Sequence, residues 1–423
     1  MRFSTLDAWL AWQETLHPSA IELGLERPGR VLATLGLNSP PHTVITVAGT
    51  NGKGSSVAML ESILQAAGYR VGCYTSPHLL RYNERVRING EAVSDEALCY
   101  SFERIDQARG ETSLTYFEFG TLAAMDIFAR AELDVAVLEV GMGGRLDAVN
   151  LLDADVALVT AIDVDHVSWL GDNREAIGRE KAGIFRPQSP AVCSDPQPPA
   201  SLLQHARELG TDLYRLGEEY RYIPGEECWS WLSPEVQYEG LPMPALRGRF
   251  QLQNAAGVLM TLVLLADRLP VSSDQLRQGL QVVSLPGRFQ LLPGAVTTIV
   301  DVAHNPQSAT ALAANLRAMP VEGQTHAVVG MLADKDLSSV FRQMSDVIDL
   351  WYPAGLDVFR GADCKTLLQA LAEQGIMVER GYTSITEAMA AARASAQAGD
   401  RIVVFGSFYT VAEAMVASGS CLL

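Results

Sequence analysis

The chain has no surplus of positive charge. Its 423 residues hold 32 Lys and Arg against 49 Asp and Glu, a formal net charge of −17. Without a basic tail to release counterions, nonspecific binding to nucleic acid or to an anionic membrane surface is disfavoured. A local cluster of Lys and Arg can still hold a small anion. No stretch approaches the ~20 apolar residues of a membrane span. The N-terminal Met1-Arg2-Phe3-Ser4-Thr5-Leu6-Asp7 lacks the apolar core of a signal peptide. Cysteine is scarce: Cys73, Cys99, Cys193, Cys228, Cys364 and Cys421 form no C-x-x-C pair. In a long chain without an export signal they read as reduced thiols, and the expected setting is the cytoplasm. No internal repeat or low-complexity segment is evident. What remains is ordinary globular composition, 48% hydrophobic and 19% charged, in a chain long enough for more than one core.

Apolar runs alternate with amphipathic stretches. The runs Val44–Ala48, Val71–Tyr74, Val135–Val140 and Val156–Ile162 predict strands, and Phe119–Ala131 predicts a helix. Strands without internal alternation are buried on both faces, so a mostly parallel sheet wrapped by helices is expected. Ligand loops then gather at the carboxyl ends of the strands. Gly49–Ser55, Ser76–His78, Gly141–Asn150 and Asp163–His166 should share one rim. The proline-rich Arg186–Pro199 reads as surface loops. Tyr214–Leu246, with Trp229, Trp231 and Tyr238 near alternate spacing, reads as a small hairpin region, and a helix is expected over Leu252–Leu269. After the turn-rich Ser284-Leu285-Pro286-Gly287-Arg288-Phe289 the pattern restarts with Thr297–Val302, Ser308–Ala318, His326–Gly330 and Ile402–Phe405. Two domains are expected, residues 1–289 and 290–423, the second without a phosphate loop of its own.

The segment with the sharpest chemistry is Val44-Ile45-Thr46-Val47-Ala48-Gly49-Thr50-Asn51-Gly52-Lys53-Gly54-Ser55-Ser56. A buried strand breaks into glycines, presents a lysine and opens into a helical pattern from Val57. Turn N–H groups and the positive end of the helix dipole converge on an anion. The lysine suits β/γ-phosphates, and a nearby hydroxyl suits magnesium. The match to the general phosphate-loop pattern is partial. Val47 stands where a glycine is wanted, and Gly54 separates Lys53 from Ser55. A ligand-free glycine turn is the bland alternative.

Other residues are weaker alone. Glu139 ends the strand Asp134–Val140, where nucleotide enzymes place a magnesium ligand or a base, though a solvated strand end looks the same. Gly141-Met142-Gly143-Gly144-Arg145-Leu146-Asp147 lacks the helix-opening glycine of a dinucleotide fingerprint. His166, beside Asp163 and Asp165, is either a surface histidine or part of a metal site. Lys181, in Gly178-Arg179-Glu180-Lys181-Ala182-Gly183-Ile184, reads in isolation as solvated. Asp301-Val302-Ala303-His304-Asn305-Pro306 is either a helix N-cap region or a site for an ammonium and a carboxylate. Gly406-Ser407-Phe408 opens another anion-friendly turn.

Taken together and in order, these pieces closely resemble the folylpolyglutamate synthases, and most closely the bacterial bifunctional dihydrofolate synthase/folylpolyglutamate synthases, relatives of the Mur ligases. The resemblance rests on Gly49–Ser55, Thr75–Leu79, Leu138–Ala148, Asp165-His166 with Leu170-Gly171, Arg179–Ile184, Leu285–Arg288, Asp301–Pro306 and Gly406–Phe408. It implies an N-terminal P-loop ATPase-type domain and a C-terminal Rossmann-like α/β domain. It implies an ATP-dependent ligase that joins L-glutamate to dihydropteroate and to reduced folates through an acyl phosphate. Gly49, Thr50, Asn51, Gly52, Lys53, Gly54 and Ser55 would hold ATP, with Asn254, Arg288 and Asp301. Ser76, Glu139 and His166 match magnesium-binding positions, and Lys181 matches a lysine that is carbamylated and helps bind a second magnesium. Lys53, Lys181 and His304 are the residues implied in catalysis, and His304 and Ser407 fall where the glutamate binds. The pterin pocket would map onto Glu22, Leu23, Gly24 and Leu25, onto Thr115, Tyr116, Phe117 and Glu118, and onto Leu146, Asp147 and Ala148. Arg288, at the joint, is expected to sense ATP and favour closure. The partners are small molecules alone, and the working unit is a monomer.

The nearest alternative is a monofunctional folylpolyglutamate synthase. A Mur-type ligase on a peptidoglycan precursor usually carries a further domain before the phosphate loop, and only 48 residues precede Gly49. A P-loop switch protein would want a guanine-reading N-K-x-D, which is missing.

Overall fold

A computed structural model describes residues 2–248 and 250–419; Cys421 lies outside them. The chain divides into two compact units, one of Met1–Ala245 and Gln251–Ser284, the other of Leu246–Phe250 and Leu285–Leu423. The division falls at Ser284 and Leu285 rather than after residue 289. The reason is local pairing: the Val302 amide donates to the Gly287 carbonyl at 3.0 Å, and the Phe289 amide to Asp301 at 2.8 Å. The turn-rich joint is therefore stitched to a strand of the second unit.

The first unit is built on eight strands: β1 (Thr43–Ala48), β2 (Val71–Tyr74), β3 (Val86–Ile88), β4 (Glu91–Ala92), β5 (Val135–Glu139), β6 (Val156–Val159), β7 (Ala191–Cys193) and β8 (Leu213–Arg215). Their order is β4-β3-β2-β5-β1-β6-β7-β8. All neighbours from β2 to β8 are parallel, and β3 and β4 run antiparallel at one edge. Alternate residues such as Val44, Ala136 and Leu138 join one core with Trp9, Phe102, Phe119 and Phe128 from the helices Leu6–Leu16, Asp95–Arg109 and Tyr116–Arg130. The intervening Ile45, Val47, Val135 and Val137 are equally buried, so both faces are covered. That is why these strands read as unbroken apolar runs.

One stretch departs from expectation. Arg186–Pro199 is not only loop, since it contains β7, fully buried between β6 and β8. Three residues flanked by prolines carry too little period to be seen. The expected hairpin is a three-stranded antiparallel sheet of β9 (Arg221–Pro224), β10 (Cys228–Leu232) and β11 (Gln237–Pro242), with β10 central. Trp229 and Trp231 point to its buried side, as their alternate spacing predicts.

The second unit has β12 (Gln290–Leu292), β13 (Thr297–Asp301), β14 (Thr325–Val329), β15 (Leu350–Pro353) and β16 (Arg401–Phe405), in the order β12-β13-β16-β14-β15. Only β12 is antiparallel to its neighbour. Its own core gathers Ile299, Val329, Phe341, Trp351 and Phe405. The five described cysteines are free thiols. Among the described residues, no helix is long and apolar enough to cross a membrane.

Candidate functional site

Four consecutive parallel strands, β2, β5, β1 and β6, end on one rim of the first sheet. The segments that follow them are Ser76–His78, Gly141–Asn150, the glycine turn from Gly49, and Asp163–His166, so topology brings the four expected loops together.

The turn after β1 is locked against the end of β6. Gly49 has φ 152°, and a Cβ there would meet Thr160 Oγ1 at 1.8 Å, so only glycine fits. The Thr160 hydroxyl donates to the Asn51 carbonyl at 2.8 Å, and the Thr50 hydroxyl to the Asp163 carbonyl at 2.8 Å. Gly52, at φ 93°, starts the helix Lys53–Ala66, four residues earlier than the apolar pattern suggests. A Cβ on Gly52 would meet Asn254 Oδ1 at 2.4 Å, which places the helix Phe250–Leu264 against the turn. Lys53 Nζ donates to the Gly49 and Thr50 carbonyls at 3.0 and 3.2 Å, which holds the ammonium over the turn. Ser55 is buried, with Gln251 Nε2 at 3.4 Å from its hydroxyl.

Glu139 closes β5 as a buried carboxylate and accepts the Ser76 amide at 3.2 Å. Asp147 is buried. Its oxygens accept the Met142 and Val149 amides at 2.8 and 2.9 Å, yet burial still raises its pKa to about 6. Lys181, on the helix Arg174–Ala182, is also buried, not solvated as its charged neighbours suggest. Arg145 fixes that helix against the rim loop. Its amide donates to the Glu180 carbonyl at 2.8 Å, and its guanidinium to the Glu180 carboxylate at 2.8 Å. A Cβ on Gly144 would lie 2.7 Å from that same carbonyl. Burial lowers the Lys181 pKa to about 7; Lys53 pushes the same way, and Asp165 and Asp147 oppose it. His166 has φ 54° and starts the short helix Val167–Leu170, its amide donating to Asp165 at 2.8 Å.

The rim suits a hard cation only in part. The Glu139 carboxylate lies against the Ser76 backbone amide, but no group of three His, Cys, Asp or Glu among the described residues is placed to hold a metal. A magnesium ion accepts such a site when phosphate oxygens and water complete its shell.

The three segments expected at a pterin pocket also meet. The Gly24 amide donates to the Leu146 carbonyl at 3.1 Å. Arg27 pairs with Glu22 and, at 2.9 Å, with the buried Glu118. Thr115 and Glu118 form a reciprocal cap on the helix Tyr116–Arg130. Phe117 lies against Gly141 and Tyr74, while Tyr116 meets Tyr82 edge-on under the Arg85 guanidinium. Arg27 and Arg85 went unnoticed in the sequence. Their partners lie far along the chain or carry no motif, and only the Arg-Tyr-Asn-Glu-Arg run around Arg85 hints at a charged turn.

In the second unit, β13 and β16 pair Asp301 with Phe405, so Asp301 and Gly406-Ser407 lie at neighbouring strand ends. Asp301, half-buried, accepts the Phe289 and Ala303 amides at 2.8 Å each. Burial raises its pKa, with Arg288 and His304 opposing. Arg288 lies over the Phe408 ring at 5.1 Å. His304 Nδ1 sits 2.8 Å from the Val302 carbonyl. The Ser407 hydroxyl accepts the Thr410 amide at 3.0 Å and caps the helix Phe408–Ala417.

Comparison with known proteins matches this geometry along the whole chain. Residues 47–262 fit the Mur ligase middle domain and residues 287–408 the Mur ligase, glutamate ligase domain. The dihydrofolate synthase/folylpolyglutamate synthase of Escherichia coli K12 is 46% identical over 412 residues, 97% of this chain and 95% of that one. The enzyme of the same name from Bacillus subtilis 168 is 32% identical, over 83% of this chain and 85% of its own. Among solved structures, E. coli FolC in complex with DHPP and ADP superimposes with a TM-score of 0.94 at 46% identity, covering 99% of this chain and 98% of that one. A bifunctional folylpolyglutamate synthase/dihydrofolate synthase with Mn, AMPPNP and L-glutamate bound superimposes at 0.91 with 47% identity, covering 98% of both chains. With both domain models matched in order and 46% identity over nearly the whole length, the chain belongs to the dihydrofolate synthase/folylpolyglutamate synthase family of Mur ligases.

Proposed function

We propose that the protein is an ATP-dependent ligase that joins L-glutamate to dihydropteroate, giving dihydrofolate, and to the glutamate tail of reduced folates. The observation that carries this reading is the glycine turn with Lys53 on the same rim as Glu139 and Ser76, in a chain alike end to end to enzymes bearing both activities in their names. The proposed setting is the cytoplasm and the proposed working unit a monomer.

A carboxylate does not acylate an amine at neutral pH, because its leaving group would be oxide. Attack of the acceptor carboxylate on the γ-phosphorus of ATP breaks the bond to the β-phosphate oxygen and gives an acyl phosphate and ADP. The α-amine of L-glutamate then attacks the acyl carbon, phosphate leaves, and the amine gives up its proton. The first step needs positioning and charge neutralisation more than covalent help. Lys53 and the turn amides from Gly49 to Ser55 supply these, with Asn254 packed against Gly52. Magnesium, when bound, would neutralise phosphate charge; Ser76, Glu139 and His166 would hold it, and a carbamate on Lys181 a second ion. Lowering the pKa of this buried amine toward 7 raises the fraction that is neutral, the form that adds to carbon dioxide. In the second unit, Arg288 and Asp301 are the proposed nucleotide contacts, and His304 and Ser407 those for glutamate.

The test is ATP-dependent phosphate release with L-glutamate, comparing dihydropteroate with tetrahydrofolate. Release with both acceptors is expected, with Lys53→Ala lowering kcat by ~10²–10³. Release with tetrahydrofolate alone would leave only the polyglutamylating activity, and no ADP with either acceptor would overturn the proposal.

A further inference from the structure

Among the described residues, a few buried side-chain nitrogens and oxygens have no hydrogen-bond partner, and only one belongs to a permanently charged group: Arg27 Nε. Both terminal nitrogens of that guanidinium are engaged. One terminal nitrogen pairs with the Glu22 carboxylate, and the other donates to Glu118 at 2.9 Å and lies 3.4 Å from the Glu22 carbonyl. The clamp is held from both sides. His17 bridges Glu22, at 2.8 Å, and the Ser113 hydroxyl, at 3.0 Å. Glu118 is fixed by the Thr115 amide at 2.8 Å. Arg27 therefore cannot swing its idle N–H toward water without giving up two carboxylates. Leaving a buried donor on a charged group unsatisfied is unfavourable by several-fold in any folding or binding constant, so a standing orphan calls for an acceptor atom.

Resting on the acceptor pocket of the proposed function, we infer that Arg27 Nε–H donates to an acceptor atom of the pterin ring, making Arg27 a binding residue for the head of the substrate. The segments that flank the clamp are the ones brought together at that pocket, by Gly24 on Leu146 and by the cap at Thr115. The chemistry also matches. A 2-amino-4-oxo pterin edge places donors beside a carbonyl oxygen. Glu22 and Glu118 are acceptors, and the idle Arg27 Nε–H is a donor on the same clamp. Lysine at this position would keep the charge and lose the fork and the idle N–H together.

The test is titration calorimetry with ADP present, using 7,8-dihydropteroate and, as the head alone, 7,8-dihydropterin. Arg27→Lys should weaken both about tenfold or more and leave ADP affinity within twofold. Arg27→Lys binding both as tightly as wild type would overturn the inference. Should the variant fail to fold, wild-type protein labelled with ¹⁵N-arginine gives a second readout. One Nε–H signal should shift and exchange more slowly when dihydropteroate is added, and a spectrum in which none responds would overturn the contact. Wild-type protein that takes up ADP but no dihydropteroate sinks the proposed function, and this contact with it. Wild-type uptake with an indifferent Arg27→Lys sinks the contact alone.

Discussion

Gly49 is the residue with the least latitude in the first unit. It stands at positive φ, and any side chain would collide with Thr160, which is itself tied to Ala48 and Asn51. Gly49→Ala should therefore push the turn off β6 and weaken binding of a non-hydrolysable ATP analogue by on the order of tenfold or more, since the anion-binding amides move with it. Calorimetric titration checks this, and unchanged affinity would mean that the turn adjusts freely. At this scale the sequence was most readable where chemistry needs a rare residue at a fixed backbone angle, as at Gly49 and Gly52. It was least readable where a common residue acts through burial. Lys181 looks solvated among Arg179 and Glu180, and only the packing of Gly144 and Arg145 on its helix shows that it is inside.

The elements themselves were legible wherever their hydrophobic period was long. β1, β2 and β5 follow their apolar runs nearly residue for residue, because strands covered on both faces leave no polar positions to blur them. Expected β6 ends early, at Val159, where Thr160 turns away to hold the glycine loop. The pairing of helices left no mark in the sequence. The helix Ser273–Val282 lies against Lys53–Ala66 so closely that a Cβ on Gly279 would come within 2.5 Å of Ile63 Cα, and the Ser62 hydroxyl donates to the Gly279 carbonyl at 2.8 Å. Gly279→Val must separate two backbones, not merely displace a flexible tip. A loss of about 1–3 kcal/mol in stability is expected. Because the partner helix carries Lys53, a measurable drop in nucleotide affinity should accompany it. Denaturant unfolding and titration with ADP would check both, and a stable variant with wild-type ADP affinity would show that the two helices tolerate being parted.

For the molecule as a whole, the two-unit α/β plan was readable from the restart of the strand-helix pattern, whereas the place of the joint was not, because Leu285–Phe289 reads as a turn until its hydrogen bonds to the end of β13 are seen. Stability against pH also belongs to this scale. The Lys181 amine ionises near 7 in the fold and near 10.5 in an open chain. Between those values the unfolded chain holds more protons, so this residue's contribution to stability rises with pH; its penalty is complete below about 7 and fades toward 10.5. In carbon-dioxide-free buffer, Lys181→Met should be more stable than wild type near pH 7, by up to about 1.4 kcal/mol for each unit of the shift, with the gap narrowing by pH 9 to 10. Denaturant melts at both pH values would check it, and a gap that widens with pH would refute it. The sheet margins carry one more consequence. The outermost strands of the two larger sheets are only two to four residues long: β4 is exposed and sits beyond the antiparallel β3, β12 is likewise antiparallel to its neighbour, and β15 ends in Pro353. A foreign backbone seeking to extend either sheet would find too few free amides in a row to register against, so these margins give crowded or half-folded copies of the chain little on which to polymerise.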